Sequence, residues 1–166
     1  MIRLAQKNDL NRILQITSLC AREMRSRNIF QWNEHYPNIE SFREDINNDE
    51  LYVFCVKNKV LGCISICTFM DEVYKQVSWK TIGNNSIYIH RLAVDPKFQK
   101  KGIGNKLMDF AEKKSKLAGI QSVRLDTFSQ NKVNQKFYES RGYIKLDDVY
   151  FPMQSEHPFH CYELLF

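Results

Sequence analysis

The stretch Arg91-Leu92-Ala93-Val94-Asp95-Pro96-Lys97-Phe98-Gln99-Lys100-Lys101-Gly102-Ile103-Gly104 decides how the rest of the chain is read. An alternating run stops at Asp95-Pro96, lysines follow, and two glycines stand where apolar residues begin to recur at helical spacing. A strand, a basic turn and a helix start in that order expose the first N–H groups of the helix, which have no partner inside it. Glycines at that point let an anionic group approach the backbone, and the helix dipole favours its charge by roughly 0.3–1 kcal/mol, ~2 when partly buried. Two familiar phosphate-binding patterns do not fit. A dinucleotide fingerprint needs a third glycine where Leu107 stands, and a P-loop needs Gly-Lys-Ser/Thr, whereas Gly104 precedes Asn105.

Outward from this turn, the pattern alternates between helix and strand. Leu10, Ile13, Leu14, Thr17, Cys20, Ala21 and Met24 share a helical face that reaches about Arg27, with Asp9 as the expected cap. A second, shorter helix is expected over Ile39 to Asn47, with Ser41 as its cap. Leu51–Lys57 and Val60–Thr68 read as an antiparallel hairpin around Asn58-Lys59. Phe69 to Asn85 reads as a polar connection that carries Tyr74 and Trp79. Then come a strand over Ser86–Val94, a helix from Gly102 to Ala118 closed by Gly119, and a strand over Val123–Phe128. A helix over Asn131–Arg141 stops at Gly142, and strands over Tyr143–Leu146 and Cys161–Phe166 flank a loop with Pro152 and Pro158. The order predicts an α/β chain: a mixed sheet of about seven strands with four helices.

With 166 residues, the chain suits one domain over 1–166, and no repeat, linker or low-complexity tract divides it. Hydrophobic residues at 43%, charged residues at 26%, and only 6 Gly and 4 Pro describe a globular chain rather than a disordered or fibrous one. The longest apolar run, Leu51–Val56, falls far short of the roughly 18 residues a membrane span requires, and Lys7, Asp9 and Arg12 interrupt any signal-like start. Five cysteines without a CxxC pair suit reduced thiols and a cytoplasmic setting. Cys63 and Cys67 face the same way on one strand but lack two further ligands nearby, so no metal is expected. The net charge of +5 is mild, and its lysines concentrate around the turn rather than among aromatics, so no nucleic-acid partner is expected.

Gln99-Lys100-Lys101-Gly102-Ile103-Gly104 resembles the Gln/Arg-x-x-Gly-x-Gly/Ala turn of the GNAT superfamily of acyl-CoA-dependent N-acetyltransferases. Asn131-Lys132-Val133-Asn134-Gln135-Lys136-Phe137-Tyr138-Glu139-Ser140-Arg141-Gly142-Tyr143 is similar to that family's second signature, Asn-x-x-Ala-x-x-Phe/Leu-Tyr-x-x-x-Gly-Phe. Asn134 replaces the usual small residue and Tyr143 the commoner Phe. The two blocks together, with the element order, cover almost the whole chain. The resemblance implies the GNAT fold, acetyl-CoA as cosubstrate, and a gap between splayed fourth and fifth strands. In that gap Leu92, Ala93 and Val94 would line the pantetheine arm, Leu92 and Val94 through backbone groups. Gln99, Lys100, Lys101, Gly102, Ile103 and Gly104 would cradle the pyrophosphate, and Asn131 would reach the cosubstrate from the far side.

Acetyl transfer from a thioester needs an unprotonated amine. Deprotonating an alkylamine of pKa about 10.4 at pH 7 costs ~4.6 kcal/mol, against ~1.1 for an α-amine, so a base matters most for alkylamines. The resemblance places His90 where relatives carry a base, with Tyr88 on the same strand face to anchor a water chain, and it matches Tyr138 to the acid beside the departing sulfur. Asp126 is a candidate to orient the amine or to assist as a base, while His157 and His160 have no evident role. The acceptor site would lie between Asn28–Pro37, which holds Gln31 and Trp32, and Asp147–Met153, which holds Tyr150. Aromatics with a few acids suit a small cationic amine. The same residues also fit a homodimer surface, and a protein N-terminus or lysine as acceptor, or a non-catalytic acyl-CoA sensor, stays open.

Overall fold

The computed structural model describes residues 1–166. Its elements are β1 (Ile2–Leu4), α1 (Leu10–Ser26), α2 (Ile39–Asn47), β2 (Leu51–Val56), β3 (Lys59–Cys67), β4 (Ser86–Val94), α3 (Ile103–Leu117), β5 (Ser122–Phe128), α4 (Lys132–Ser140), β6 (Ile144–Val149) and β7 (Phe159–Leu165). They form one mixed sheet in the order β1-β2-β3-β4-β5-β7-β6, antiparallel at every step except β4 to β5. One face packs Ile13, Ile16 and Phe42 of α1 and α2 against Val53 and Cys63. The other packs Leu107, Met108 and Ala111 of α3 and Tyr138 of α4 against Ile64, Ile87 and Leu125. Such two-sided cover is why β2 and β3 read as nearly unbroken apolar runs. No helix is long and apolar enough to cross a membrane.

Several local expectations need correction. Asp9 does not cap α1 with its side chain; its carboxylate accepts the Gln6 N–H at 2.8 Å and binds Arg3. Asn38, not Ser41, caps α2, accepting the Ser41 N–H at 2.9 Å. The hairpin turns at Lys57-Asn58, both with positive φ, one residue earlier than expected. The connection from Phe69 to Asn85 is not merely polar, because a 3-10 turn over Glu72–Gln76 buries Tyr74 completely. His160 has a partner after all, with Nδ1 2.5 Å from Asp148.

Two features of β4 open one edge of the strand. Its parallel pairing with β5 lasts only from Ser86 to Tyr88, opposite Ser122 to Arg124, so the two strands then part. Its pairing with β3 slips between Ala93 and His90, and Arg91 absorbs the extra residue with φ of 52°. A bulge of this kind bends the strand away from its neighbour. The chain leaves the end of β4 through a 3-10 turn over Pro96–Phe98, capped by Asp95, and enters α3.

Candidate active site

The turn into α3 is built as an anion cradle. Lys100 and Gly102 both take left-handed conformations, with φ of 60° and 78°, and a Cβ on Gly102 would meet nothing within 4 Å. The amides from Lys100 to Asn105 donate to no protein acceptor; the first helical bond is from Lys106 to the Gly102 carbonyl. Alternating hands along such a segment turn successive N–H groups into one concavity that suits a phosphate. Lys100 is exposed, and the Lys101 ammonium lies 5.0 Å from the centre of the Phe98 ring. Ile103 is buried in the core, so only its amide is available here.

Gln99 points back into the protein, donating from Nε2 to the Val94 carbonyl at 3.1 Å, where the Cys20 thiol also donates at 3.2 Å. Asp95 donates to Leu61 of β3, so by antiparallel alternation Leu92 and Val94 turn their backbone groups toward the gap beside β5. The Val94 carbonyl is already occupied, which leaves its N–H and the backbone of Leu92 for a ligand.

The gap opens into a cavity of about 920 Å³. Its walls include Trp32 and Tyr36, Ile89 to Leu92 of β4, Asp126 of β5, Asn134 and Tyr138 of α4, and Tyr150 to Gln154. The two loops expected to hold an acceptor do meet: Asn33 donates to the Met153 carbonyl at 3.0 Å and Gln154 to the Gln31 carbonyl at 3.3 Å. Gln31 also accepts from Asn131 at 2.9 Å, so the Asn131 side chain, which caps α4 through the Asn134 N–H, is committed beneath the wall rather than on it.

Three ionisable groups line this cavity. Tyr138 carries its hydroxyl on the cavity wall, with Phe137 and Tyr143 edge-on to its ring, and burial pushes its pKa well up. His90 lies parallel to the Tyr74 ring at 6.2 Å; burial, reinforced by the neighbouring Arg91 charge, pushes its imidazole down to about 3. Asp126 accepts a short hydrogen bond from the Tyr74 hydroxyl. Burial raises its carboxyl to about 6 despite that bond, and Asp71 adds to the rise. Deeper in, Arg91 binds Asp45 at 2.7 Å and lies 5.6 Å from the centre of the Tyr36 ring, which fixes the bulge against α2. Tyr88 does not reach the cavity; its hydroxyl accepts from Arg124 at 3.0 Å.

Of the residues expected at the acceptor side, Gln31, Trp32, Asp126 and Tyr150 reach the cavity. Tyr36 also reaches it, from the Asn28–Pro37 segment expected there, whereas Tyr74 and Arg91 carry no expected role, the first because its contact spans 52 residues with no local pattern to announce it.

A strand that parts from its neighbour, an amide cradle at its end and a cavity with a phenol and a carboxylate together suit group transfer from an anionic, elongated donor. The family model described as the acetyltransferase (GNAT) family matches residues 11–143. The chain belongs to the GNAT acetyltransferases. It is 27% identical over 134 residues to the uncharacterised N-acetyltransferase YesJ of Bacillus subtilis (strain 168), spanning 77% of this chain and 74% of that one. A Staphylococcus aureus Mu50 protein provisionally classed as an acetyltransferase superposes with a TM-score of 0.78 at 28% identity, over 99% and 98% of the two chains. The PaiA N-acetyltransferase of Thermoplasma acidophilum, solved with coenzyme A, shares the fold with a TM-score of 0.69 at 22% identity, over 100% and 98%.

Proposed function

We propose that this chain, as one domain over 1–166, transfers the acetyl group of acetyl-CoA to a primary amine of a small cationic molecule. The observation that carries the reading is the continuous path from the Lys100–Asn105 amide cradle, along the free edge of β4, to the cavity that holds Tyr138 and Asp126. Acetyl-CoA fits that path by chemistry: an anionic pyrophosphate for the cradle, an amide-bearing arm for the backbone of Leu92 and Val94, and a thioester for the cavity. The Thermoplasma complex supports the same ligand class.

Trp32, Tyr36 and Phe151 supply aromatic lining suited to an ammonium group, and Glu44, Glu50, Asp71 and Asp126 give the cavity an excess of negative charge. The two loops that line the cavity are joined by the Asn33–Met153 and Gln154–Gln31 bonds, which favours a small acceptor over a protein segment that needs an open groove. Tyr138, with its pKa raised, keeps its proton at neutral pH and is read as the donor to the departing sulfur. His90 is neutral at that pH and is read as a hydrogen-bond acceptor for the amine rather than the final holder of its proton. Five buried free thiols support a reducing, cytoplasmic setting.

The test is calorimetric titration with acetyl-CoA, followed by thiol release against polyamines, amino acids, aminoglycosides and short peptides. Binding with release for a small amine is the expected result. Release with peptides alone would replace the acceptor class, binding without release by any amine would make the chain a sensor, and absence of binding would overturn the reading.

A further inference from the structure

We propose that Asp126 is the catalytic residue that takes the proton from the acceptor amine, and that Tyr74 is the positioning residue that aims it. The inference rests on the amine-acetylation reading above and names a base that the motifs do not mark.

Asp126 stands on β5 two residues beyond Arg124, the last to pair with β4, so it is placed where the strands part. Its backbone is fixed opposite Cys161 of β7. One carboxylate oxygen, Oδ2, accepts from Tyr74; Oδ1 has no protein partner and faces the cavity shared with His90 and Tyr138. Tyr74 is well placed to aim this group, because it is fully buried, lies parallel to His90 at an interplanar angle of 18°, and meets Trp79 edge-on at 5.4 Å. Trp79 in turn donates to the Tyr74 carbonyl at 3.0 Å. The hydroxyl therefore reaches Asp126 from a ring that cannot swing, and the free oxygen is left in one orientation.

Charge decides between Asp126 and His90. Moving a proton from an ammonium to a carboxylate neutralises two opposite charges inside a low-dielectric cavity. Moving it to His90 only relocates a cation, and places it beside Arg91, the residue next in the chain. The titratable groups nearest Asp126 are Tyr74 and Asp71 from the connection, Tyr36, Tyr138 of α4 and Cys161 of β7, with His90 and Arg91 of β4 on the same cavity wall. Arg91 is the only lysine or arginine on that wall, and its charge is paired with Asp45 at 2.7 Å, so it does not hold Asp126 ionised too firmly to accept a proton.

In the transfer itself, an ammonium acceptor enters with three protons on nitrogen; one passes to Oδ1 of Asp126, and the freed lone pair bonds to the thioester carbonyl carbon. The C–S bond breaks with its electron pair on sulfur. Of the two protons still on nitrogen, one remains in the amide; the other is shed, while sulfur takes one from the Tyr138 hydroxyl and that phenol is refilled by the shed proton. The products are an N-acetyl amine, a free thiol and one proton, released from Asp126 to solvent.

The experiment is a carbon-13 titration of the Asp126 carboxyl, assigned with Asp126→Asn, in the parent chain and in Tyr74→Phe. It is paired with pH–rate profiles on whichever amine gives the largest thiol release from a set of 1,4-diaminobutane, 2-phenylethylamine and glycinamide. The expected result is titration near pH 6 that moves upward in Tyr74→Phe, where the hydrogen bond to the ionised form is gone. The acid limb of kcat/KM should move by the same amount, and its plateau should fall because the carboxylate is no longer aimed. Asp126→Asn should lose ~10²–10⁴-fold in kcat/KM, recovering with rising pH, with acetyl-CoA affinity unchanged. Titration in the ordinary range near 4, or an acid limb that Tyr74→Phe leaves in place, would overturn the base assignment while amine acetylation stood. The expected titration without thiol release by any of the amines would instead overturn the acetylation reading itself.

Discussion

Burial acts in opposite directions on Asp126 and His90, lifting the carboxyl to about 6 and lowering the imidazole to about 3, because in each case it disfavours the charged form. For Asp126 this is also a statement about stability. Its folded pKa lies above the unfolded value, so its favourable contribution is complete below about pH 4 and is lost as pH rises through about 6. Asp126→Asn keeps an acceptor for Tyr74 and has no charge to bury. It should therefore be more stable than the parent by about 1–3 kcal/mol at pH 8, with the difference vanishing toward pH 4, as urea unfolding at the two pH values will show. Tyr138 is tested differently. Tyr138→Phe keeps the ring against Phe137 and Tyr143, so it should lower kcat roughly 10²-fold and leave acetyl-CoA affinity within a factor of two by calorimetry. An unchanged kcat would remove the phenol from the proton path.

At the scale of elements, the turn between β4 and α3 does the positioning, and of its two left-handed residues Gly102, unlike Lys100, explains why it is readable. A backbone with φ of 78° that must also approach an anion accepts essentially one residue type, so Gly102 leaves a mark in the sequence. Substitutions separate its two duties. Gly102→Ala carries only the left-handed strain, about 1–2 kcal/mol of stability, since its Cβ meets open space. Gly102→Glu adds a like charge to the cradle and should weaken acetyl-CoA by roughly 100-fold or more in calorimetry, while Ala stays within a few-fold. Equal affinity for both would move the pyrophosphate elsewhere. The bulge at Arg91 and the Tyr74–Asp126 contact left no such mark. Arg is not a residue that announces positive φ, and a tyrosine in a polar connection looks the same whether it points to solvent or to a carboxylate 52 positions away. The caps misread at Asp9 and Ser41 have a related cause: several Asn, Asp and Ser residues stand near each helix start, and tertiary partners such as Arg3 choose among them.

Across the whole molecule, the parting of β4 from β5 has to be held open at one end and closed at the other, and a buried ion pair sits at the closed end. Glu163 of β7 and Arg124 of β5 meet at 3.1 Å with side chains 0% and 3% exposed. Burial alone would raise the Glu163 carboxyl, but bonds from the Thr81 hydroxyl, the Lys80 amide, Ser122 and Arg124 outweigh it and hold its pKa low. Arg124 also donates to the Tyr88 hydroxyl and the Thr81 carbonyl, so three strands and the connection after β3 share one network. The same guanidinium lies 4.6 Å from the centre of the Trp79 ring, and Trp79 braces Tyr74, which aims Asp126. Removing one partner of a buried pair strands the other charge, so Glu163→Ala should cost about 3–5 kcal/mol in urea unfolding, and Glu163→Gln, which retains an acceptor, less. Because Glu163 holds its low pKa only when folded, the parent's share of this stability is present above about pH 4.3 and fades as pH falls, opposite in sign to Asp126. Contact alone does not establish coupling between the ends of this chain of residues. A double-mutant cycle does: if the brace is transmitted, Glu163→Gln shifts the Asp126 titration upward in the parent and leaves it unmoved once Tyr74→Phe has already removed the link. Additive shifts would mean that the network secures the closed end of the sheet and that Tyr74 holds Asp126 without its help.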